Sequence, residues 1–167
     1  ETVVYTATNG VSSIQCYFTV TVQDNVAPIV GSWNTNAIRT LPTPNTTIFN
    51  NDVLTFNMGS TCGVVVNWIA PASSTVTDNC TTPTLRVRYE FQAPNTVGFL
   101  PVTGYGPGSI FPAGTTRVIY DYVDAVGNAS ASTFVFDIVV EDHIFPSITC
   151  PNPITTVATQ GFCYADV

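Results

Sequence analysis

Residues 116–148, TRVIYDYVDAVGNASASTFVFDIVVEDHIFPSI, contain the pattern that decides the fold. Within 134–140, large apolar side chains occupy every second position, so an extended strand would place them on one face. The dipeptide Gly127-Asn128 favours a tight turn ahead of that strand. This stretch therefore predicts an antiparallel β-hairpin with one buried face and one face in water.

A second copy of this hairpin opens the chain. Residues 2–30, TVVYTATNGVSSIQCYFTVTVQDNVAPIV, align with 116–148, and their turn, at Asn9-Gly10, is three residues shorter. The aligned pairs are Val3 and Val118, Tyr5 and Tyr120, Phe18 and Phe136, Val20 and Ile138, Val22 and Val140, Asp24 and Asp142, and Pro28 and Pro146. Because Asp24 and Asp142 lie 118 positions apart, the repeated unit has the size of a domain.

The repeat divides the chain into three parts. Residues 1–24 are predicted to be the C-terminal strands of one unit, 25–142 a complete unit, and 143–167 the N-terminal strands of the next. In both copies a cysteine follows the junction proline: Cys62 comes after Pro28, and Cys163 comes after Pro146. This shared order supports the start of a third unit after residue 142. We therefore expect these residues to belong to a longer tandem array.

The composition predicts an all-β protein. The chain has 26 Thr and 23 Val, whose branched side chains suit strands, and its 11 Gly and 12 Pro supply frequent turns. No segment shows helical spacing of apolar residues over three turns, and no apolar run approaches the roughly 18–20 residues needed to cross a bilayer. Many short antiparallel strands with one buried face predict a β-sandwich of about seven strands.

The charge excludes two classes of partner. Four Arg, no Lys and eleven acidic residues give a net charge of −7. Such a chain cannot neutralise a row of phosphates, so it is not a nucleic-acid-binding protein. The same charge disfavours binding to an anionic membrane surface. The partners that remain are neighbouring repeats of the same chain or filament, and surface glycans or proteins.

Several short motifs occur in a fixed order along the complete unit. They are Cys-Gly-Val-Val-Val-Asn-Trp at 62–68, Thr-Asp-Asn-Cys at 77–80, Phe-Pro-Ala-Gly-Thr-Thr at 111–116 and Asp-Ala-Val-Gly-Asn at 124–128. In this order they resemble the hyalin repeat (HYR) domain family, an immunoglobulin-like module. Residues 60–167 and 1–30 carry the resemblance, while residues at about 31–59 have the character of an insertion. The resemblance implies a tandem immunoglobulin-like sandwich with an extracellular structural or adhesive role and no catalysis.

The resemblance also implies a set of disulfides. The family pattern has four cysteine positions; in the complete unit Cys62 and Cys80 fill the second and third, and they are expected to pair. The first position has become the region from Val30 to Trp33, and the fourth has become Phe134. Three cysteines are then expected to have partners outside residues 1–167: Cys16, Cys150 and Cys163. A bond between Cys150 and Cys163 is the rival pairing.

Catalytic signals are weak. His143 is the single histidine, and neither a Gly-x-Ser-x-Gly motif nor a Cys-x-x-Cys pair is present to supply a nucleophile or a zinc site. We expect His143 to lie in the linker between two units and the chain not to be an enzyme.

Acidic and amide side chains cluster around the unit boundaries and turns. Oxygen ligands at domain junctions are what calcium requires, and the candidates are Asp24, Asn25, Asp124, Asn128, Glu141 and Asp142. The alternative is that these residues cap turns and keep a lysine-free surface soluble.

Two further sets of residues have candidate roles. Asn45, Asn79 and Asn128 fit the N-glycosylation pattern. Trp33 in the insertion and Tyr105 in the loop 96–109 are candidate ligand contacts, because loops on a rigid sandwich often bind partners. The alternative for the insertion is an added edge strand at 53–56.

Three functions are consistent with these observations. The favoured one is a non-catalytic structural repeat in the stalk or filament of an extracellular cell-surface adhesin. The alternatives are a ligand-binding adhesion module, for carbohydrate or protein, and an accessory domain of a secreted enzyme. Exposed coplanar aromatic rings would favour ligand binding, whereas regularly stacked units would favour the stalk.

Overall fold

A computed structural model describes residues 1–42, 46–59, 61–158 and 160–161. Within these ranges all the regular structure is strand, which confirms the predicted all-β class. The strands are β1 (Thr2–Thr8), β2 (Ser13–Thr19), β3 (Ile29–Val30), β4 (Trp33–Thr35), β5 (Ala37–Leu41), β6 (Thr46–Ile48), β7 (Asp52–Asn57), β8 (Val64–Ile69), β9 (Ala72–Ser73), β10 (Val76–Thr77), β11 (Thr84–Gln92), β12 (Leu100–Val102), β13 (Ser109–Phe111), β14 (Gly114–Val123) and β15 (Phe134–Glu141).

Residues 25–142 form a sandwich of two main sheets. One sheet has the strand order β12-β11-β14-β15-β7, and the other has the order β13-β8-β5-β6. The short pairs β3–β10 and β4–β9 lie beside them. This architecture confirms the predicted β-sandwich, with one departure: β7 pairs parallel to β15, whereas the remaining pairs of the described strands are antiparallel.

The predicted insertion is part of both sheets. β5 and β6 extend the four-stranded sheet, and β7 extends the five-stranded sheet. This segment also contributes to the core with the buried side chains of Ala37, Ile48, Leu54 and Phe56. The prediction of an added edge strand at 53–56 is therefore confirmed, because β7 spans it.

The core follows the period of two that the sequence predicts. Phe134, Phe136, Ile138 and Val140 of β15 are all buried, whereas the residues between them are partly exposed. Trp68 of β8 packs edge-on against Phe136, with ring centroids 5.5 Å apart. Its indole Nε1 donates a hydrogen bond of 2.8 Å to the Tyr120 hydroxyl of β14, which joins the two sheets through a buried polar contact.

The outer face of the five-stranded sheet carries most of the positive charge. Arg86 and Arg88 on β11 both bond to the buried carboxylate of Asp121 on β14. Arg117 makes two bonds to Asp137 on the neighbouring strand and lies 4.1 Å from the ring centre of Phe99. Three of the four arginines thus serve cross-strand ion pairs on one sheet.

The first hairpin has the same pairing but a different environment. Among the described strands, β1 and β2 pair only with each other, in a register that matches Val3 to Phe18 and Tyr5 to Cys16. Phe18 is 50 % exposed and Val20 42 % exposed, although their counterparts Phe136 and Ile138 are fully buried. The apolar face of this hairpin therefore lacks the second sheet that covers it in residues 25–142.

Replacing Tyr120 with Phe should destabilise the sandwich. The Tyr120→Phe change removes the acceptor of the buried Trp68 N–H, and an unsatisfied buried donor costs about 1–3 kcal/mol. Urea unfolding followed by tryptophan fluorescence would measure the loss. Tyr122→Phe is the matched control, because the Tyr122 hydroxyl bonds to none of the described residues; equal stability of the two variants would contradict the assigned role of the Tyr120 hydroxyl.

Candidate functional site at the repeat junction

Three carboxylates from distant parts of the sequence meet where residues 24–28 enter the sandwich. Asp24 lies in this linker, Asp78 follows β10 and Asp124 follows β14, and one oxygen from each lies within 4.8 Å of the other two. We call this group the carboxylate cluster and its location the entry end. The opposite end, where β14 begins at Gly114 and β15 finishes at Glu141, is the exit end.

Asp124 organises the turn between β14 and β15. Its Oδ1 accepts hydrogen bonds from the backbone N–H groups of Val126, Gly127 and Asn128, at 3.0, 2.6 and 2.8 Å. Its Oδ2 accepts one from the Asn128 side chain at 2.7 Å. Burial on its own would raise the pKa of Asp124, but the hydrogen bonds from Asn128, Gly127 and Val126 outweigh it, so the pKa lies below its usual value.

Asp24 and Asp78 each use one oxygen for their own loop. Asp24 Oδ1 accepts from the Val26 N–H at 3.0 Å, and Asp78 Oδ2 accepts from the N–H groups of Cys80 and Thr81 at 3.1 and 2.9 Å. The other oxygens, Asp24 Oδ2 and Asp78 Oδ1, are buried and have no hydrogen-bond partner among the described residues. These are the two oxygens that a bound cation could use.

The cluster also affects a neighbouring thiol. Loss of hydration raises the pKa of Cys80, and the nearby carboxylates of Asp24, Asp78 and Asp124 raise it further. A thiol in this setting stays protonated at neutral pH and is a poor nucleophile.

The turn and the linker are joined by one side chain. Asn128 Nδ2 donates to the carbonyl oxygens of Asp24 and Val26, at 3.2 and 3.4 Å. Pro28, further along the linker, is buried. The linker is therefore packed against the unit that follows it.

The second junction repeats the local turn of the first. Asp142 Oδ1 accepts from the Ile144 N–H at 2.9 Å, just as Asp24 does from Val26. Pro146, the counterpart of Pro28, is exposed. His143 is exposed beside Asp142, and its Nε2 is 3.0 Å from a Glu141 carboxylate oxygen.

The structure brings together only part of the predicted calcium set. Asp24, Asp124 and Asn128 lie at the entry end, and exposed Asn25 follows Asp24 along the chain. Glu141 and Asp142 belong to the exit end, so they cannot share a site with the first group. The predicted calcium set did not include Asp78. The Asp-Asn-Cys loop can be recognised as part of this site only when β10 and β14 are known to finish at the same end of the sandwich.

The predicted bond between Cys62 and Cys80 is not formed. Both are free thiols, and so are Cys16 and Cys150, while Cys163 lies outside the described residues. Cys80 lies at the entry end, beside the carboxylate cluster. Cys62 lies at the exit end, because it precedes β8, and Val64 of β8 pairs with Phe111, three residues before β14 begins. β14 has ten residues and spans roughly 30 Å, far beyond the Cα separation of about 7 Å that a disulfide tolerates.

The aromatic residues predicted to contact a ligand pack against the core. The Trp33 ring contacts those of Tyr122 and Phe134, with centroids 5.7 and 5.8 Å apart. The Tyr105 ring stacks on Phe111 at 5.2 Å. Both side chains remain partly exposed, so this packing uses part of each ring and the ligand-contact prediction stays a prediction.

The candidate glycosylation sites differ in their surroundings. Asn79 is exposed and stays a candidate. Asn128 is not suited to the role, because its Nδ2 already holds the linker and Asp124. Asn45 lies outside the described residues.

The two packed sheets of residues 25–142 define a β-sandwich module, and its last hairpin and the aspartate turn after it have counterparts at the start of the chain. The sequence is 33 % identical to hyalin from Lytechinus variegatus over 167 residues, an alignment that covers 96 % of this chain and 25 % of that protein. It is 30 % identical to hyalin from Strongylocentrotus purpuratus over 154 residues, which is 91 % of this chain and 11 % of that protein. This similarity along nearly the whole chain, which spans a quarter or less of each relative, confirms the resemblance to the hyalin repeat that the motifs indicate.

Other comparisons add nothing to this assignment. No family model matches the chain, and no solved structure matches it. Among the described residues, none forms a helix long and apolar enough to cross a membrane.

Replacing Asp124 with Asn should make the free energy of unfolding depend less on pH in the acidic range. A carboxyl whose folded-state pKa is lowered stabilises the fold above its unfolded pKa, near 4, and this contribution is lost as the pH falls through the folded value. Asn can still accept the three turn N–H bonds but cannot titrate. Urea midpoints between pH 3 and pH 6 would measure the difference.

The control for that experiment is Asp142→Asn at the second junction, which should keep the acid dependence of the unmodified chain. If Asp124→Asn loses stability with falling pH as steeply as the unmodified chain, the turn does not depend on the ionised carboxylate.

Proposed function

We propose that this chain is a non-catalytic structural repeat in a tandem array, in the stalk or filament of an extracellular adhesive protein. The observation that carries the proposal is the first hairpin, whose apolar face is open although its counterpart in residues 25–142 is buried. Burial of apolar surface stabilises a fold by about 25 cal/mol per Å². We therefore infer that the open apolar face of this hairpin is covered by the other strands of a preceding repeat, with which it would form a sandwich.

The linkers support a stiff array. Each places an aspartate turn four residues before a proline, and the first is tied to the sandwich by Asn128 and by the burial of Pro28. Proline fixes one backbone angle and removes one hydrogen-bond donor, so the linker has few alternative conformations. Consecutive units joined in this way stand end to end with restricted bending.

The family supports the extracellular and adhesive part of the proposal. Both relatives are hyalins several times longer than the aligned region, and the hyalin repeat implies an extracellular structural role. Among the alternatives, the carbohydrate-binding role has weaker support, because part of the Trp33 and Tyr105 rings is used in contacts with the core.

A tandem protein tests the array directly. Residues 1–142 followed directly by 25–167 contain two complete units joined by a natural aspartate–proline linker. Small-angle X-ray scattering should show an elongated particle with one dominant spacing between units. The control carries six Gly-Ser residues inserted after the first Asp142 and should bend freely; a natural-linker protein as compact and as variable as this control would contradict the proposal.

We further propose that the carboxylate cluster binds calcium and so braces the junction. Three carboxylates converge, two of their oxygens are buried without partners, and water or nearby carbonyl oxygens can complete the six to eight ligands that calcium takes. A cation there offsets the mutual repulsion of the carboxylates and ties the linker to two loops of the following unit. Loop capping alone is the competing explanation.

Calcium should therefore raise the melting temperature of the chain. At a calcium concentration 100 times the dissociation constant, mass action adds about 2.7 kcal/mol, or about 5–10 °C in a domain of this size. Calorimetry with calcium and with EDTA would measure the shift. Asp78→Asn should abolish it and the matched Asp142→Asn should not; identical melts with and without calcium would leave loop capping as the only role of the cluster.

A further inference from the structure

Both hairpin turns present an apolar residue to solvent. Counted from Tyr5 and Tyr120, Asn9 corresponds to Asp124 and Val11 to Val126. Asn9 Oδ1 accepts from the N–H groups of Val11 and Ser12, as Asp124 Oδ1 accepts from Val126 and the two residues after it. Val11 is 96 % exposed and Val126 is 63 % exposed. Turns favour polar residues and glycine, so a valine held outward at the same place in two copies needs an explanation beyond turn formation.

The opposite end of the sandwich carries an apolar groove. Its lining includes Leu41, Pro42, Asn57, Cys62, Val65 and Ile110, and we call it the exit-end groove. Leu41, Val65 and Ile110 are exposed and none of these side chains is charged. Gly63 shapes the floor, because a Cβ there would lie 2.6 Å from the Ile110 side chain and 2.7 Å from the Phe111 carbonyl oxygen.

The turn and the groove lie beside the same kind of linker. At the exit end, Asn57 pairs with Glu141, and the Met58 N–H donates to the Glu141 carbonyl at 2.9 Å, so the groove borders the point where the chain leaves. At the entry end, Asn128, two residues from Val126, bonds to the linker carbonyl of Val26. Five linker residues span at most about 17 Å, which keeps both surfaces close to each other in consecutive units.

We propose that the exit-end groove of each repeat binds the valine-tipped entry turn of the repeat that follows. The inference rests on the tandem array proposed above and names the contact that holds it. Within residues 25–142 eight acidic residues outnumber four arginines, so consecutive repeats of this composition repel each other. An uncharged groove and an apolar turn are surfaces through which such repeats can still make contact. The contact is heterologous, with a different surface on each partner, so it extends along the array instead of closing on itself.

The native cysteine in the groove makes a direct test. In the tandem protein described above, Cys62 is kept in the first unit, the remaining cysteines are changed to Ser, and Val126→Cys is introduced in the second unit. Mild oxidation followed by peptide mapping should find the intramolecular bond in a fraction at least ten times that of a control with Val97→Cys, a residue exposed in another loop. Both altered positions are exposed, so the units should fold as before.

A second variant checks the groove itself. Ile110→Asn in the first unit should lower the cross-linked fraction to the level of the control. A cross-link no more frequent than in the control, or one formed only between separate molecules, would overturn the inference. Small-angle X-ray scattering on the same protein distinguishes the two failures. An elongated particle without the cross-link would contradict only the groove contact, whereas a compact, variable particle would contradict the proposed array.

Discussion

The antiparallel pairing of β14 with β15 is the constraint on which the rest of the molecule depends. β14 pairs along its length with β11 on one side and β15 on the other, and β15 in turn receives β7. The inward side chains of this hairpin supply Phe134 and Phe136 of the core and the Tyr120 hydroxyl that accepts the Trp68 N–H. Its turn supplies Asp124 and Asn128, so the same strand pair that builds the core also builds the junction.

Local patterns predicted the hairpins and the linker turns well. Alternation at 134–140 predicts one buried face because successive side chains in a strand point to opposite sides. The alternative that Asp24 and Asp142 cap turns agrees with the hydrogen bonds that they accept from the N–H groups of Val26 and Ile144, at 3.0 and 2.9 Å. These features depend on residues that are neighbours in the sequence.

Other features depend on which strands finish at the same end of the sandwich, and local patterns in the sequence do not show this. Asp78 joins Asp24 and Asp124 only because β10 and β14 finish at one end. Cys62 and Cys80 fit a family pattern, yet the length of β14 separates them. The parallel pairing of β7 was also missed, because a six-residue strand carries no local signal for the direction of its neighbour.

The parallel neighbour of β15 has a mechanical consequence. A pull on the chain beyond Glu141 acts along the axis of β15, which is held on one side by β14 and on the other by β7. Ladder hydrogen bonds run across the strands, so such a load shears many of them together and does not peel them away one at a time. β7, which belongs to the predicted insertion, thus doubles the number of ladders that must slide before β15 is extracted, so a pull on this end of the strand is resisted within the sandwich.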